Sequence, residues 1–229
     1  MLERLEILVG NKIEEIKNKT VLIVGIGGVG GYALEALIRS GIGKVIIVDN
    51  DTIDITNLNR QIISLNSNIG MKKVDVAEKR IKDINPNIEV IKYDLFLTEE
   101  NTISLFDNHI DYIVDACDTI AVKKELIRLA SLKNIKLISS MGTGYKMNPA
   151  KLEIMELSKT SYDPIAKILR KYVKDMRIKS KVMVVCSKEE RIRTNTKTIG
   201  SNAFVPATSG LLCASYIIND IVGDICKKN

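Results

Sequence analysis

Val21-Leu-Ile-Val-Gly-Ile-Gly-Gly-Val-Gly30 joins an apolar run to a glycine-rich turn. Val21 to Val24 is short, continuous and mostly β-branched, the pattern of a strand buried on both faces. Gly25, Gly27 and Gly30 keep G-x-G-x-x-G spacing, with an additional Gly28. Leu34, Ala36, Leu37 and Ile38 then predict a helix closed by Gly41. A strand, a glycine turn and a helix N-terminus make an anion cradle, because bare N–H groups and the helix dipole face a phosphate that no side chain obstructs. A second strand, Lys44 to Val48, ends at Asp49, 19 residues beyond Gly30. An acid there can accept hydrogen bonds from ribose hydroxyls. The unit therefore reads as a nucleotide site. The plainer alternative is a glycine turn that only lets helix and strand pack closely.

Outward from this unit, strands and helices alternate. A helix is expected over Met71–Ile84, stopped by Asn85-Pro86-Asn87. A strand follows at Ile88–Ile91, a helix capped by Thr98 runs to Phe106, and a strand spans Tyr112–Asp115. Next come a helix over Val122–Leu132 and a strand over Lys136–Ser140. The rhythm argues for an α/β fold with a Rossmann-like, doubly wound, mostly parallel sheet. Ligands of such sheets sit at the carboxyl ends of strands. Gly25–Gly30, Asp49, Asp118 and Met141-Gly-Thr-Gly144 are all expected there. Residues 2–17 read as a helical arm broken at Gly10-Asn11. After Gly144 the rhythm changes: a strand over Lys151–Leu157, a basic helix from Asp163-Pro164 to Asp175, a strand over Lys181–Val185, and a polar, mobile stretch from Ser187 to Ser201 holding Lys197. The division is a core of residues 1–144 and a small C-terminal substrate region of 145–229, whose terminal helix returns to the core.

Composition narrows the function classes. The chain has 229 residues, 45% of them hydrophobic, and a net charge of +6, which favours polyanionic partners. Cys117, Cys186, Cys213 and Cys226 form no C-x-x-C pair, which argues against a structural zinc site. Cys117 and Cys186 are read as packing residues and His109 as a surface residue. The charged opening, Met1 to Lys17, has no long apolar core, so a cytoplasmic protein with reduced thiols is expected. Ala203–Ile218 is apolar but short for a membrane span and broken by Thr208, Ser209 and Ser215, so it reads as a core helix with Pro206 in its first turn and no membrane is implied.

Hydride transfer would need only the cradle and Asp49. This chain adds Asp51, then Asn57-Leu-Asn59-Arg60-Gln61, then Gly70-Met-Lys-Lys73, then Asp115-Ala-Cys-Asp118. Fixed cations at Arg60 and Lys73 suit a triphosphate, and a separate carboxylate at Asp118 suits Mg²⁺, held directly or through water. Such an array stabilises charge on a phosphoryl group under attack. Taken singly, each residue has a plain alternative: a surface ion pair, a solvated helix residue, a helix cap.

Together these motifs resemble the adenylating superfamily of ubiquitin-activating, E1-like enzymes and their bacterial sulfur-carrier relatives. Four further stretches are similar to the branch of tRNA threonylcarbamoyladenosine dehydratases: Arg4-Leu-Glu-Ile-Leu-Val-Gly10, Ser139-Ser-Met-Gly-Thr-Gly144, Asp163-Pro164 with its basic helix, and Gly200-Ser-Asn-Ala-Phe-Val-Pro206. The resemblance implies ATP and Mg²⁺ as cofactors, with Gly28 against the phosphates, Asp49 on the ribose, Asn57, Asn59, Arg60 and Lys73 on the triphosphate, and Asp118 on the metal. It implies that Arg4 reaches into a partner subunit's site, hence a homodimer. It also implies the reaction. The carboxylate of threonylcarbamoyladenosine, beside the tRNA anticodon, attacks the ATP α-phosphate and releases pyrophosphate; a urea nitrogen closes a ring on the activated carbonyl and AMP leaves, for a net loss of water. Lys167, Arg170, Lys171, Lys174, Lys188, Arg191 and Arg193 are the tRNA candidates. The alternative is an adenylyltransferase acting on the C-terminal glycine of a sulfur-carrier protein, which adds a sulfur-transfer protein to the candidate partners.

Overall fold

The computed structural model describes residues 1–196 and 198–223; Lys197 and Cys226 lie outside the described residues. The helical arm is α1 (Glu3–Val9) and α2 (Lys12–Lys17), separated by Gly10, whose φ of +56° turns the chain between them. The cradle unit is β1 (Thr20–Val24), α3 (Gly30–Arg39) and β2 (Lys44–Val48). Then follow α4 (Lys73–Ile84), β3 (Glu89–Tyr93), β4 (Tyr112–Asp115), α5 (Ile120–Lys133), β5 (Lys136–Ser140), β6 (Leu152–Glu156), α6 (Pro164–Asp175), β7 (Met183–Ser187) and α7 (Phe204–Val222).

The strands form one seven-stranded sheet in the order β3-β2-β1-β4-β5-β7-β6. All neighbours are parallel except β6, which runs antiparallel to β7 at the edge. The order reverses between β1 and β4, and that switch point opens a crevice at the carboxyl ends of the strands. Successive β1 side chains alternate between two cores. Val21 and Ile23 join Leu34, Leu37, Ile81, Val205 and Ile217 on the face covered by α3, α4 and α7. Leu22 and Val24 join Ile113, Leu126, Leu169 and Val184 on the face covered by α5 and α6. The α/β, Rossmann-like, doubly wound reading holds, and residues 145–187 extend the same sheet.

Several bounds shift by two to four residues from the sequence reading, those of β3, α4 and α7 among them, and two further differences have a structural cause. The stretch after Thr98 forms a short 3-10 helix, Thr102–Asp107, preceded by a reciprocal pair in which Thr98 and Asn101 each accept from the other's backbone N–H. The last strand lies two residues later than expected. Cys186 and Ser187 pair with Glu153 and Leu152 of β6, a partner that hydropathy along β7 does not reveal.

The terminal helix packs on the core as expected. Asn202 caps it, its side-chain oxygen accepting from the backbone N–H groups of Phe204 and Val205 at 3.2 and 2.9 Å. By length and composition α7 is the one described helix apolar enough to cross a bilayer, yet Val205, Gly210, Cys213, Ala214 and Ile217 are buried inside the protein. Its approach to α3 requires glycine: a Cβ on Gly210 would stand 2.2 Å from the carbonyl oxygen of Val29 and 2.9 Å from the amide nitrogen of Ala33. Because backbone cannot yield as a side chain does, Gly210→Ala is expected to cost ~1–3 kcal/mol, read as a fall of about 2–12 °C in Tm by thermal unfolding. An unchanged Tm would show that α7 shifts freely on α3.

Candidate active site

The crevice is a cleft of about 510 Å³ at the switch point. Its floor is the glycine turn, with Gly25, Gly27 and Gly28 in its lining. The turn is tight: a Cβ on Gly30 would lie 1.8 Å from the carbonyl oxygen of Gly25. Gly30 begins α3, so its role is to bring the helix N-terminus down on the strand. Gly25 has a φ of +86°, and a Cβ there would meet the carbonyl oxygen of Ala116 at 2.9 Å. Glycine at both positions lets the segment after β1 pass against the segment after β4.

Asp49, Asp51, Asn57, Arg60, Lys73 and Asp118 line the same cleft. Asp49 leaves the end of β2, and its carboxylate accepts from the backbone N–H of Ile26 at 2.6 Å and of Asp51 at 2.9 Å. Burial raises its pKa above the ordinary carboxylate value, against the opposing pull of Lys73. Lys73 opens α4. Its Nζ donates to Asp51 at 2.6 Å, lies 3.8 Å from Asp49, and its side chain is only 5% exposed. The ammonium is thus held on a carboxylate pair at the cleft wall, of which Asp51 is 61% exposed and can be exchanged for an incoming phosphate. Arg60 donates to the carbonyl oxygen of Thr56 at 2.7 Å and to Asn59 Oδ1 at 2.9 Å, both neutral acceptors, so its charge is left for an anion.

The two asparagines divide. Asn57 lines the cleft, but its Oδ1 accepts from the backbone N–H of Asp54 at 3.1 Å and closes a capping box. Asn59 lies outside the lining; it supports Arg60 and donates to the carbonyl oxygen of Ser201 at 3.2 Å. Arg4 is exposed on α1, a helix without a buried residue, and is not part of the cleft. Lys167, Lys171 and Lys174 are exposed along α6. Arg170 is tied to Thr160, Lys188 to Glu153 at 2.7 Å, and Arg191 stacks over Tyr145 at 4.7 Å; Arg193 is exposed.

Sequence reasoning overlooked part of the lining. Val48, Leu95, Leu97 and Val122 make an apolar wall suited to a base, and the run Leu95-Phe-Leu97 directly after β3 was its signal. Thr143, Ser201 and Pro206 arrive from distant segments. A buried pair beneath Asp118 was also missed. Asp115, 0% exposed, takes both of its oxygens to Lys123 Nζ at 3.1 Å, and Lys123 also donates to Ser139 Oγ at 3.2 Å and to the carbonyl oxygen of Ser140 at 2.9 Å. Ser139 donates to Asp115 at 2.6 Å and Cys117 Sγ lies at 3.1 Å. Burial pushes the Cys117 thiol well up, with the Asp115 charge adding to it, so it packs and does not react. Asp118 follows directly and stands exposed at the cleft, with Thr119 Oγ1 at 3.5 Å and no salt bridge among the described residues.

The pair makes a stability prediction. Lys123→Met leaves the buried Asp115 without its counter-ion, a loss of ~3–5 kcal/mol, whereas Asp115→Asn/Lys123→Met, measured beside it by denaturant unfolding, should recover part of that loss. Equal losses in both variants would mean that packing and not charge holds the segment.

The tRNA threonylcarbamoyladenosine dehydratase of Bacillus subtilis is 41% identical to the chain, over 97% of this chain and 94% of its own length. The crystal structure of the Escherichia coli tRNA N6-threonylcarbamoyladenosine dehydratase in complex with ATP superposes with a TM-score of 0.91 at 31% identity, covering 100% of this chain and 96% of that one. An adenylyltransferase and sulfurtransferase of Vanderwaltozyma polyspora is 38% identical, but over 57% of this chain and 30% of its own length. A model of the ThiF family matches residues 3–224, and the chain belongs to the ThiF family.

Proposed function

We propose that the protein is an ATP-dependent tRNA threonylcarbamoyladenosine dehydratase that works by adenylating a carboxylate. The observation that carries this reading is Arg60, without an ion-pair partner among the described residues, the exchangeable Lys73 and Asp118 lining one cleft over the glycine cradle, in a chain alike over its full length to a dehydratase solved with ATP. Asp49 takes the ribose, its two backbone hydrogen bonds holding the carboxylate in place. The bare N–H groups of the Gly25–Gly30 turn, Arg60 and Lys73 take the phosphates. Asn57 orders the loop that carries Arg60, and Asn59 holds the guanidinium. The carboxylate of the modified adenosine then attacks the α-phosphate, forming a P–O bond as pyrophosphate leaves; Arg60 and Lys73 offset the charge that builds there. A nitrogen of the same modification closes on the activated carbonyl, loses its proton, and AMP departs. The second step is intramolecular, so proximity supplies much of its rate and no enzyme nucleophile is needed.

A Mg²⁺ ion fits this donor set. The described residues hold no group of three acidic, cysteine or histidine side chains, so the ion would take Asp118 and complete its shell with phosphate oxygens and water, the usual arrangement for Mg²⁺. Bound there, it supplies charge neutralisation to the triphosphate. The homodimer is supported by α1, which with the preceding Leu2 packs Leu5 and Val9 inward and leaves Ile7 and Leu8, 83% and 68% exposed, beside Arg4. We place the tRNA on residues 145–229, with Lys167, Lys171, Lys174 and Arg193 as its first contacts, and the protein in the cytoplasm with α7 as a core helix and not a span. The sulfur-carrier adenylyltransferase is the second reading, and a sulfur-transfer protein is its partner.

Mass analysis of nucleosides tests the proposal. With tRNA carrying threonylcarbamoyladenosine, ATP and Mg²⁺, the modified nucleoside should lose one water; Asp118→Ala should abolish the loss, and Arg60→Ala or Lys73→Ala should slow it by ~10²–10³-fold. Pyrophosphate release only on addition of a small protein ending in Gly-Gly would support the second reading. Cys186 offers a further discrimination. Burial pushes its thiol up to about 11, leaving about one in a thousand ionised at pH 8. Cys186→Ala should therefore keep most of the dehydration activity, and its loss would mean a nucleophilic cysteine.

A further inference from the structure

The net charge of the chain is concentrated. Between Asp163 and Arg193 the sequence has ten Lys and Arg against four Asp and Glu, an excess of six that equals the +6 of the whole protein. The structure arranges most of these cations on α6 and on the turn that follows it. The N-terminus of α6 is tied to a segment that borders the cleft: its cap, Asp163, accepts from the backbone N–H of Ala166 at 2.9 Å and of Gly142 at 3.1 Å, one residue before the cleft-lining Thr143. From there the 12 residues of α6 run about 18 Å toward the opposite end of the sheet. Lys167, Lys171 and Lys174, at spacings of four and three, share one face of it.

At the foot of α6 lies a second concavity, of about 670 Å³. Leu157, Val173, Ile178 and Val182 give it an apolar floor, and Arg170, Lys174, Arg177, Lys179 and Lys181 surround that floor. Glu156, 3.3 Å from Lys181, is its one acidic lining residue. The rim is built by an unusual turn. Arg177 has a φ of +53°, the left-handed conformation that glycine generally takes after a helix, and the next N–H, of Ile178, donates back to Val173 at 3.0 Å. The apolar Ile178 folds inward while Arg177 and Lys179 stay exposed. Such a ring of cations over an apolar floor is far from the adenylating groups and has no task in the chemistry.

We infer that this basal pocket is a second RNA site, taking backbone phosphates of the tRNA at a distance from the modified nucleotide, with the exposed lysines of α6 as the track between pocket and cleft. The inference rests on the tRNA reading of the substrate. RNA is the occupant that the charge selects: each phosphate fixed by a cation releases a counterion, and stems are gripped by shape and backbone without base readout.

Binding of purified tRNA by fluorescence anisotropy, across a series of salt concentrations, tests it directly. The pocket variant Arg177→Glu/Lys179→Glu is compared with Lys12→Glu/Lys79→Glu, a pair with the same change in charge on α2 and α4. The pocket variant should weaken tRNA binding at least ~10-fold and flatten the salt dependence by about two phosphate contacts, while the control stays within about threefold of wild type. A Tm raised by ATP in both variants would show that the cleft is intact. Equal weakening in the two, or none in either, would overturn the pocket as an RNA site. Wild type that binds and dehydrates tRNA with no pocket effect refutes this inference alone; wild type that binds no tRNA refutes it together with the function proposed above.

Discussion

The structure depends on one close approach of backbone to backbone. Gly30 can begin α3 only because nothing projects from its Cα toward the carbonyl of Gly25, 1.8 Å from where a Cβ would be. That contact lets a helix N-terminus descend on the end of β1, and it fixes the point from which the sheet grows in both directions. The segment after β4 then passes Gly25 at a distance that also excludes a side chain. Packing at protein density tolerates no intermediate solution, since a methyl group at either position would separate the layers. The cradle for phosphates and the crevice for the nucleotide are thus consequences of the same steric condition.

Around this point the protein sets charges at different depths for different purposes. Asp115 and Lys123 are fully enclosed and satisfied by Ser139 and the carbonyl of Ser140, so they hold a segment in place and are out of a ligand's reach. Lys73 is nearly buried but leans on Asp51, which is open to solvent. Among the described residues Arg60 rests on neutral oxygens only. The gradation from closed pair to exchangeable pair to a cation without an ion-pair partner among the described residues follows the path from core to cleft. The same molecule carries its surplus of cations away from the cleft, down α6, where the field reaches a large ligand and leaves the nucleotide site undisturbed.

Much of this was legible in the chain. The Val21–Gly30 stretch, the acid at Asp49 and the alternation of apolar runs with helical periodicity are local signals, and each follows from chemistry within one element. The motifs holding Arg60, Lys73 and Asp118 were legible as types in an order, though nothing in the sequence showed that they face one cavity. Asn59 shows the limit. The family resemblance implies a triphosphate contact for it, and only the fold reveals its partner 142 residues away at Ser201 and its contact to Arg60.

The sequence by itself determined the parallel sheet, the cradle and the composition of the nucleotide site, because backbone sterics, hydropathy and the spacing of glycines act over a few residues. Long-range pairing determined the rest. The burial of Lys123 against Asp115, Ser139 and Ser140 exists only because α5 is laid against β4 and β5. The two-residue shift of β7 came from its antiparallel neighbour. The basal pocket needed the left-handed turn at Arg177 to bring Lys179 and Lys181 beside Arg170. These features depend on which elements become neighbours, a property of the whole packing that no single stretch of sequence contains.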